Sequence, residues 1–153
     1  MKLIPLLLFL HLLAVVVWVG GMFFAYLCLR PVAAATLDAQ QRLTLWAGVL
    51  GRFFPWVWLA VALILGSGLA VMVIVGRPAP VHWHLMLTVG VVMMLIFAHL
   101  YFAPYPRLCR FVAVADWPKA AAALNQIRMM VGVNLALGMM TVAIATLGAY
   151  YSV

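Results

Sequence analysis

LIPLLLFLHLLAVVVWVGGMFFAYLCL, which spans Leu3 to Leu29, decides the fold of this chain because it contains no Asp, Glu, Lys or Arg over its whole length. A helix needs about 20 mostly apolar residues to cross a hydrocarbon core of about 30 Å. Three further stretches meet that requirement, at about residues 53–75, 83–104 and 129–151. The sequence therefore predicts an all-α integral membrane protein, an antiparallel four-transmembrane-helix bundle that forms one domain over residues 1–153.

The composition of the chain supports a membrane protein over a soluble one. Hydrophobic residues make up 70% of the sequence and charged residues 7%, against about 45–50% and about 25% in soluble domains. The two acidic residues, Asp38 and Asp116, fall in predicted loops, which argues against proton-coupled transport by a buried carboxylate. No catalytic nucleophile arrangement, phosphate loop or carboxylate pair can be assembled, so the sequence leaves open whether the chain is an enzyme.

The distribution of positive charge predicts an orientation. Two basic residues, Lys2 and Arg77, flank one side of the predicted bundle. The other seven flank the opposite side, and they are Arg30, Arg42, Arg52, Arg107, Arg110, Lys119 and Arg128. By the positive-inside rule the two long loops are cytoplasmic and both termini are periplasmic. These basic loops can rest on anionic lipid headgroups, so the positive charge does not require a nucleic-acid partner.

The loops predict further short elements. Pro31 disfavours helical geometry at Arg30 and is expected to end the first helix. Residues 32–51 favour a short amphipathic helix at the cytoplasmic interface. The segment 76–80 predicts a tight turn that makes the second and third membrane helices antiparallel neighbours. In the last loop, Asp116 is expected to cap a short helix over about residues 120–126.

Histidines inside the predicted helices are the strongest functional candidates, because an ionisable side chain in a bilayer is costly. His11 lies in the first helix and His99 in the third, while His84 opens the third helix on the same side of the membrane as His11. His11 and His84 would lie at similar depth if their helices touch. The full set of candidate metal ligands comprises His11, His84, Met86, His99, Met22, His82, Cys28 and Cys109.

Two chemistries fit these side chains. Imidazole binds copper, zinc and haem iron, and thioether and thiolate ligands favour Cu(I). The candidates therefore predict either a copper path across the bilayer or a b-type haem, with His11 as one axial ligand and His84 or His99 as the other. A structural explanation also stands, in which His99 bonds Asn134 and the methionines fill the core. A third possibility is an accessory subunit of a larger membrane complex.

Several short motifs, taken in order, resemble a known family. The motifs are His11 with Trp18-Val19-Gly20-Gly21, Arg30-Pro31, Gly51-Arg52-Phe53-Phe54, His82-Trp83-His84, Ala98-His99, Tyr105-Pro106-Arg107-Leu108 and Val133-Asn134-Leu135-Ala136-Leu137-Gly138. The pattern resembles the CopD-like (copper-resistance protein D) membrane proteins over nearly the whole chain. This resemblance implies copper handling at a bacterial inner membrane, with periplasmic copper as the substrate.

The pattern is more distantly similar to the HemJ-type protoporphyrinogen oxidases, which are small four-helix proteins that bind haem b. Their functional histidine on the first helix would correspond to His11. Those oxidases are expected to have a lysine two positions after the histidine that begins the third helix, where this chain has Met86. The alternative function is therefore haem-dependent oxidation or electron transfer. The sequence does not decide between a monomer, a homodimer and a larger complex.

Overall fold

The computed structural model of the chain describes residues 3–76 and 80–151. Every element in those ranges is helical, in the order α1 Leu3–Phe23, a π-helix Phe24–Leu29, α2 Arg30–Thr36, α3 Ala39–Val75, α4 Val81–Phe102, α5 Pro104–Ala113 and α6 Trp117–Tyr151. Four segments are long and apolar enough to cross a membrane, and they are Leu3–Thr36, Ala39–Val75, Val81–Ala113 and Trp117–Gly148. The predicted all-α fold with four membrane helices is confirmed. Lys2 and residues 77–79 of the predicted turn lie outside the described residues.

The first membrane helix does not end at Arg30-Pro31, as the sequence predicted, but continues to Thr36. Proline in a regular helix removes one hydrogen bond, and its ring collides with the carbonyl four residues earlier. Here the turns before Pro31 form a π-helix, whose wider turn makes room for the ring, and Pro31 then lies in the first turn of α2. The helix therefore passes through the proline.

The separate amphipathic helix expected over residues 32–51 is also absent from the described structure. Only Leu37 and Asp38 interrupt the helix, and α3 then runs without a break to Val75. The Asp38 carboxylate accepts a hydrogen bond from the Gln41 amide at 2.8 Å, and the Gln41 side chain accepts one from the Asp38 amide at 3.3 Å. This capping box starts a helix that continues directly into the membrane.

Asp116 caps a helix as predicted, but that helix is longer than expected. Its carboxylate accepts from the Lys119 amide at 3.3 Å and pairs with the Lys119 ammonium at 2.7 Å. The hydrogen bond to the Lys119 side chain lowers the pKa of the Asp116 carboxyl. The segment 120–126 is the beginning of α6, which continues to Tyr151.

The four helices pack as two close pairs. The α1 helix lies mainly against α3, while α4 and α5 lie against α6. The predicted neighbours α3 and α4 meet mainly through large rings, since Phe97 of α4 lies edge-to-face against Phe54 at 5.5 Å and Trp58 at 5.0 Å. These rings, together with Trp18 and Tyr101, form an aromatic layer across the bundle.

The aromatic layer separates the two ends of the bundle, which we name by their residues. The terminal end contains the start of α1, the connection between α3 and α4, and the end of α6. The arginine end contains the turns at residues 37–38 and 103–116, with Arg30, Arg42 and Arg128 nearby.

We expect Gly21→Ala to destabilise the pairing of α1 with α3. A Cβ at Gly21 would overlap the Phe53 ring, whereas a Cβ at Gly20 would meet no atom within 4 Å. Overpacking of this kind costs about 1–3 kcal/mol, so thermal unfolding in detergent should show a lower midpoint for Gly21→Ala. Gly20→Ala is the matched control and should leave the midpoint unchanged or higher. Equal midpoints for the two variants would contradict the close contact.

Candidate functional site

His11 of α1 is held against α3 by a serine in the last third of that helix. The distance between His11 Nδ1 and Ser67 Oγ is 2.9 Å. Ser67 is 5% exposed, and its hydroxyl donates to the Leu63 carbonyl one turn earlier. Because the hydroxyl proton is used in that bond, we assign Ser67 Oγ as the acceptor from His11, which places the proton of the neutral ring on Nδ1.

The position of this proton defines what the other ring nitrogen can do. The contact with Ser67 is made by Nδ1, so a proton on Nδ1 leaves the lone pair of His11 Nε2 for another group. A histidine that donates one N–H to a neighbouring group while presenting the other nitrogen is the usual arrangement of a metal ligand. The Ser67 contact therefore fixes the orientation of the His11 ring.

Gly68 provides the space for the His11 ring. A Cβ at this position would lie 3.4 Å from His11 Cε1 and 3.8 Å from Nδ1, which is van der Waals contact, so the ring lies directly against Gly68. Hydrogen bonding of polar side chains between helices is a common way to satisfy them inside a bilayer. The sequence Ser67-Gly68 thus provides both the acceptor and the room for the imidazole.

His84, His82 and Met86 lie in the first turns of α4. His84 is exposed, and its Nδ1–H donates to the Pro80 carbonyl at 3.3 Å, which again leaves Nε2 available. His82 packs against α6, where a Cβ at Gly148 would lie 2.7 Å from the His82 Cβ. Met86 is partly buried. The terminal end therefore offers two imidazoles and one thioether within a short segment.

The structure does not place His11 and His84 side by side. Trp18 lies edge-to-face against Phe97 at 6.1 Å, which fixes the relative height of α1 and α4. At about 1.5 Å per residue along the two parallel helices, His84 lies about 9 Å further toward the terminal end than His11. In addition, α1 packs closely on α3 and not on α4.

The remaining candidate metal ligands differ in how far their side chains are buried. Met22 is 4% exposed and lines a small cavity inside the bundle, whereas His99 lies on the outer surface. Both cysteines are free thiols, with Cys28 exposed and Cys109 partly buried. Asn134 Oδ1 has no hydrogen-bond partner among the described residues, so the expected bond from His99 does not satisfy it.

Over residues 3–76 and 80–151, no group of three or more His, Cys, Asp or Glu side chains is close enough to hold a metal ion. Any such ion would need thioether or external ligands in addition to histidine. Ser67 is the residue that the sequence analysis missed. The sequence feature that could have identified it is a single hydroxyl residue between Gly66 and Gly68 in an otherwise apolar run. Met93, buried beside Val19 and Gly138, was also missed.

A family model described as Copper resistance protein D matches residues 47–147, well over half of the chain. The match includes His82, His84, Met86 and His99, while His11 lies before it. Comparisons with curated proteins and with solved structures found no match.

The bond between His11 and Ser67 predicts one histidine in a fixed tautomeric state. NMR of isotope-labelled histidine in micelles at neutral pH should show a ring with its proton on Nδ1, assigned by its loss in His11→Ala. Ser67→Ala removes the acceptor, so the ring should shift toward a mixture of tautomers, whereas Ser67→Thr should retain the wild-type spectrum. A spectrum unchanged by Ser67→Ala would refute the assigned bond.

Proposed function

Because the chain belongs to the copper resistance protein D family, we propose that it binds and handles copper ions as cargo in the helix bundle. The observation that carries the proposal is the 2.9 Å contact between His11 Nδ1 and Ser67 Oγ, from which we assign the ring proton to Nδ1 and leave Nε2 unprotonated. Such a nitrogen binds a copper ion without first losing a proton. The two acidic residues bond Gln41 and Lys119, which leaves nitrogen and sulfur as the ligands within the bundle.

The ligands at the terminal end suit monovalent copper. Imidazole and thioether groups are soft or intermediate ligands, and Cu(I) is preferred by sites that contain sulfur. We propose that His84 and Met86 first bind the ion, with His82 nearby, and that His11 receives it about 9 Å deeper. Met22 is the buried thioether further along the same helix, and Cys28 and Cys109 lie toward the arginine end. His99 is exposed on the outer surface and is not part of the proposed path.

We further propose that the terminal end faces the periplasm of a bacterial inner membrane. Seven of the nine basic residues flank the arginine end, and positive residues concentrate in cytoplasmic loops. The candidate copper ligands of the terminal end would then face the compartment from which copper enters.

Copper binding by the purified protein tests this proposal. Cu(I) affinity is measured in detergent by competition with a chromophoric chelator. His11→Ala should abolish the tighter component of binding, because it removes the fixed ligand. Ser67→Ala should weaken binding about 10–100-fold, the usual loss when the partner that orients a metal-bound histidine is removed. His84→Ala should slow copper uptake by removing the outer ligand.

His99→Ala is the matched control, since it removes a histidine that lies on the outer surface of the same bundle. It should leave Cu(I) affinity unchanged. A visible spectrum of each sample distinguishes copper handling from the two alternative functions, a haem b protein and an accessory subunit. A Soret band that disappears in His11→Ala would favour the haem b protein. Absence of both copper and a Soret band, in protein purified with both supplied, would favour an accessory subunit.

A further inference from the structure

A cleft bordered by three arginines opens at the arginine end, far from His11. Its volume is about 440 Å³, and Arg30, Arg42 and Arg128 line it together with Tyr26 and Trp46. The residues come from the π-helix, α2, α3 and α6, so three of the four membrane helices contribute to it. The cleft therefore depends on the tertiary fold.

No carboxylate among the described residues lies opposite the arginines of this cleft. Asp38 caps its own helix through Gln41, and Asp116 pairs with Lys119, and neither carboxylate lines the cleft. Three guanidinium groups around one cavity repel one another unless an anion lies between them. The sequence holds no third carboxylate side chain to supply that anion.

Arg128 shows the strongest sign of a missing partner. Its Nε atom is buried, and no described residue accepts a hydrogen bond from it. Arg107 at the same end is a contrast, because it donates to the Ala103 carbonyl at 3.2 Å and to the Gln126 side chain at 3.0 Å. A buried charged donor without an acceptor is costly, so Arg128 is expected to bind a group outside the chain.

The walls of the cleft are aromatic and apolar. The Arg30 guanidinium lies 4.9 Å above the Tyr26 ring, which holds it by a cation–π contact while its N–H groups remain free to donate. The cleft shares Tyr26, Trp46 and Arg128 with a small inner cavity. Asn134 lines that cavity, is 3% exposed and has an unpartnered amide oxygen. The combination of a cationic mouth and an apolar interior suits an amphiphilic anion.

We propose that this cleft binds the phosphate group of an anionic phospholipid, with Arg128 as its principal donor. Guanidinium groups bind phosphate oxygens through paired hydrogen bonds, and Arg30 and Arg42 add charge on either side. A lipid is favoured over a free anion because the exposed apolar side chain of Leu27 forms part of the rim, where an acyl chain would continue. This site is independent of the proposed copper ligands.

The test uses the full chain in a neutral detergent, depleted of lipid and then mixed with phosphatidylglycerol or phosphatidylcholine. Native mass spectrometry counts the lipids that remain bound. The wild type should retain phosphatidylglycerol preferentially, and Arg128→Gln should weaken its binding about tenfold or more. Arg30→Gln and Arg42→Gln should each weaken it as well, which provides two further variants if Arg128→Gln does not fold.

Arg52→Gln is the matched control, because Arg52 is an exposed arginine of α3 that does not line the cleft. It should retain wild-type binding of phosphatidylglycerol. An equal loss in Arg52→Gln and Arg128→Gln would overturn the proposal, since general charge would then explain the binding. A competition arm with inorganic phosphate separates the sources. If inorganic phosphate binds at Arg128 and phosphatidylglycerol does not, the cleft takes a soluble anion and the lipid assignment fails.

Discussion

Inside a bilayer no water is available to bond a backbone N–H or C=O group, so each membrane-spanning segment must satisfy its own backbone. This constraint explains why the chain remains helical through Pro31. An irregular loop there would leave polar backbone groups in or near the hydrocarbon, whereas a π-helix keeps the helix continuous and absorbs the proline ring. The same π-helix contains Tyr26, which holds Arg30 at the cleft. The backbone requirement thus determines the position of side chains at the arginine end.

The same requirement applies to polar side chains, and it explains the bonding of His11. A histidine in this position needs an acceptor on a neighbouring helix, and Ser67 provides it while its own hydroxyl donates a hydrogen bond to the Leu63 carbonyl. This chain of bonds orients the His11 ring and leaves Nε2 outside it. At the arginine end the bonding is incomplete, because Arg128 Nε and Asn134 Oδ1 have no partner among the described residues. His11 is therefore oriented within the bundle, whereas these two atoms at the arginine end are left without a bond to a described residue.

The number and approximate location of the membrane helices followed from hydrophobic length alone, since few other structures accommodate such apolar runs. The pairing of the helices could not be predicted from the sequence. Lipid-facing and buried positions are both apolar, so no amphipathic pattern identifies the face of each helix that packs. The pairing of His11 with Ser67 was missed for this reason, and His84 was expected at similar depth to His11 when it lies about 9 Å further out. The histidines could be recognised as candidates from the sequence. The serine that orients His11 could be identified only from the packing of α1 on α3.

The aromatic layer makes the two ends physically distinct. Trp18 and Phe97 line the same small inner cavity as Met22, and edge-to-face contacts join Phe97 to both Trp18 and Trp58. Protein interiors are densely packed, so an ion that moved from His11 toward Met22, as proposed, would have to displace these rings. The proposed copper ligands of the terminal end and the proposed lipid site in the arginine cleft therefore lie on opposite sides of the aromatic layer.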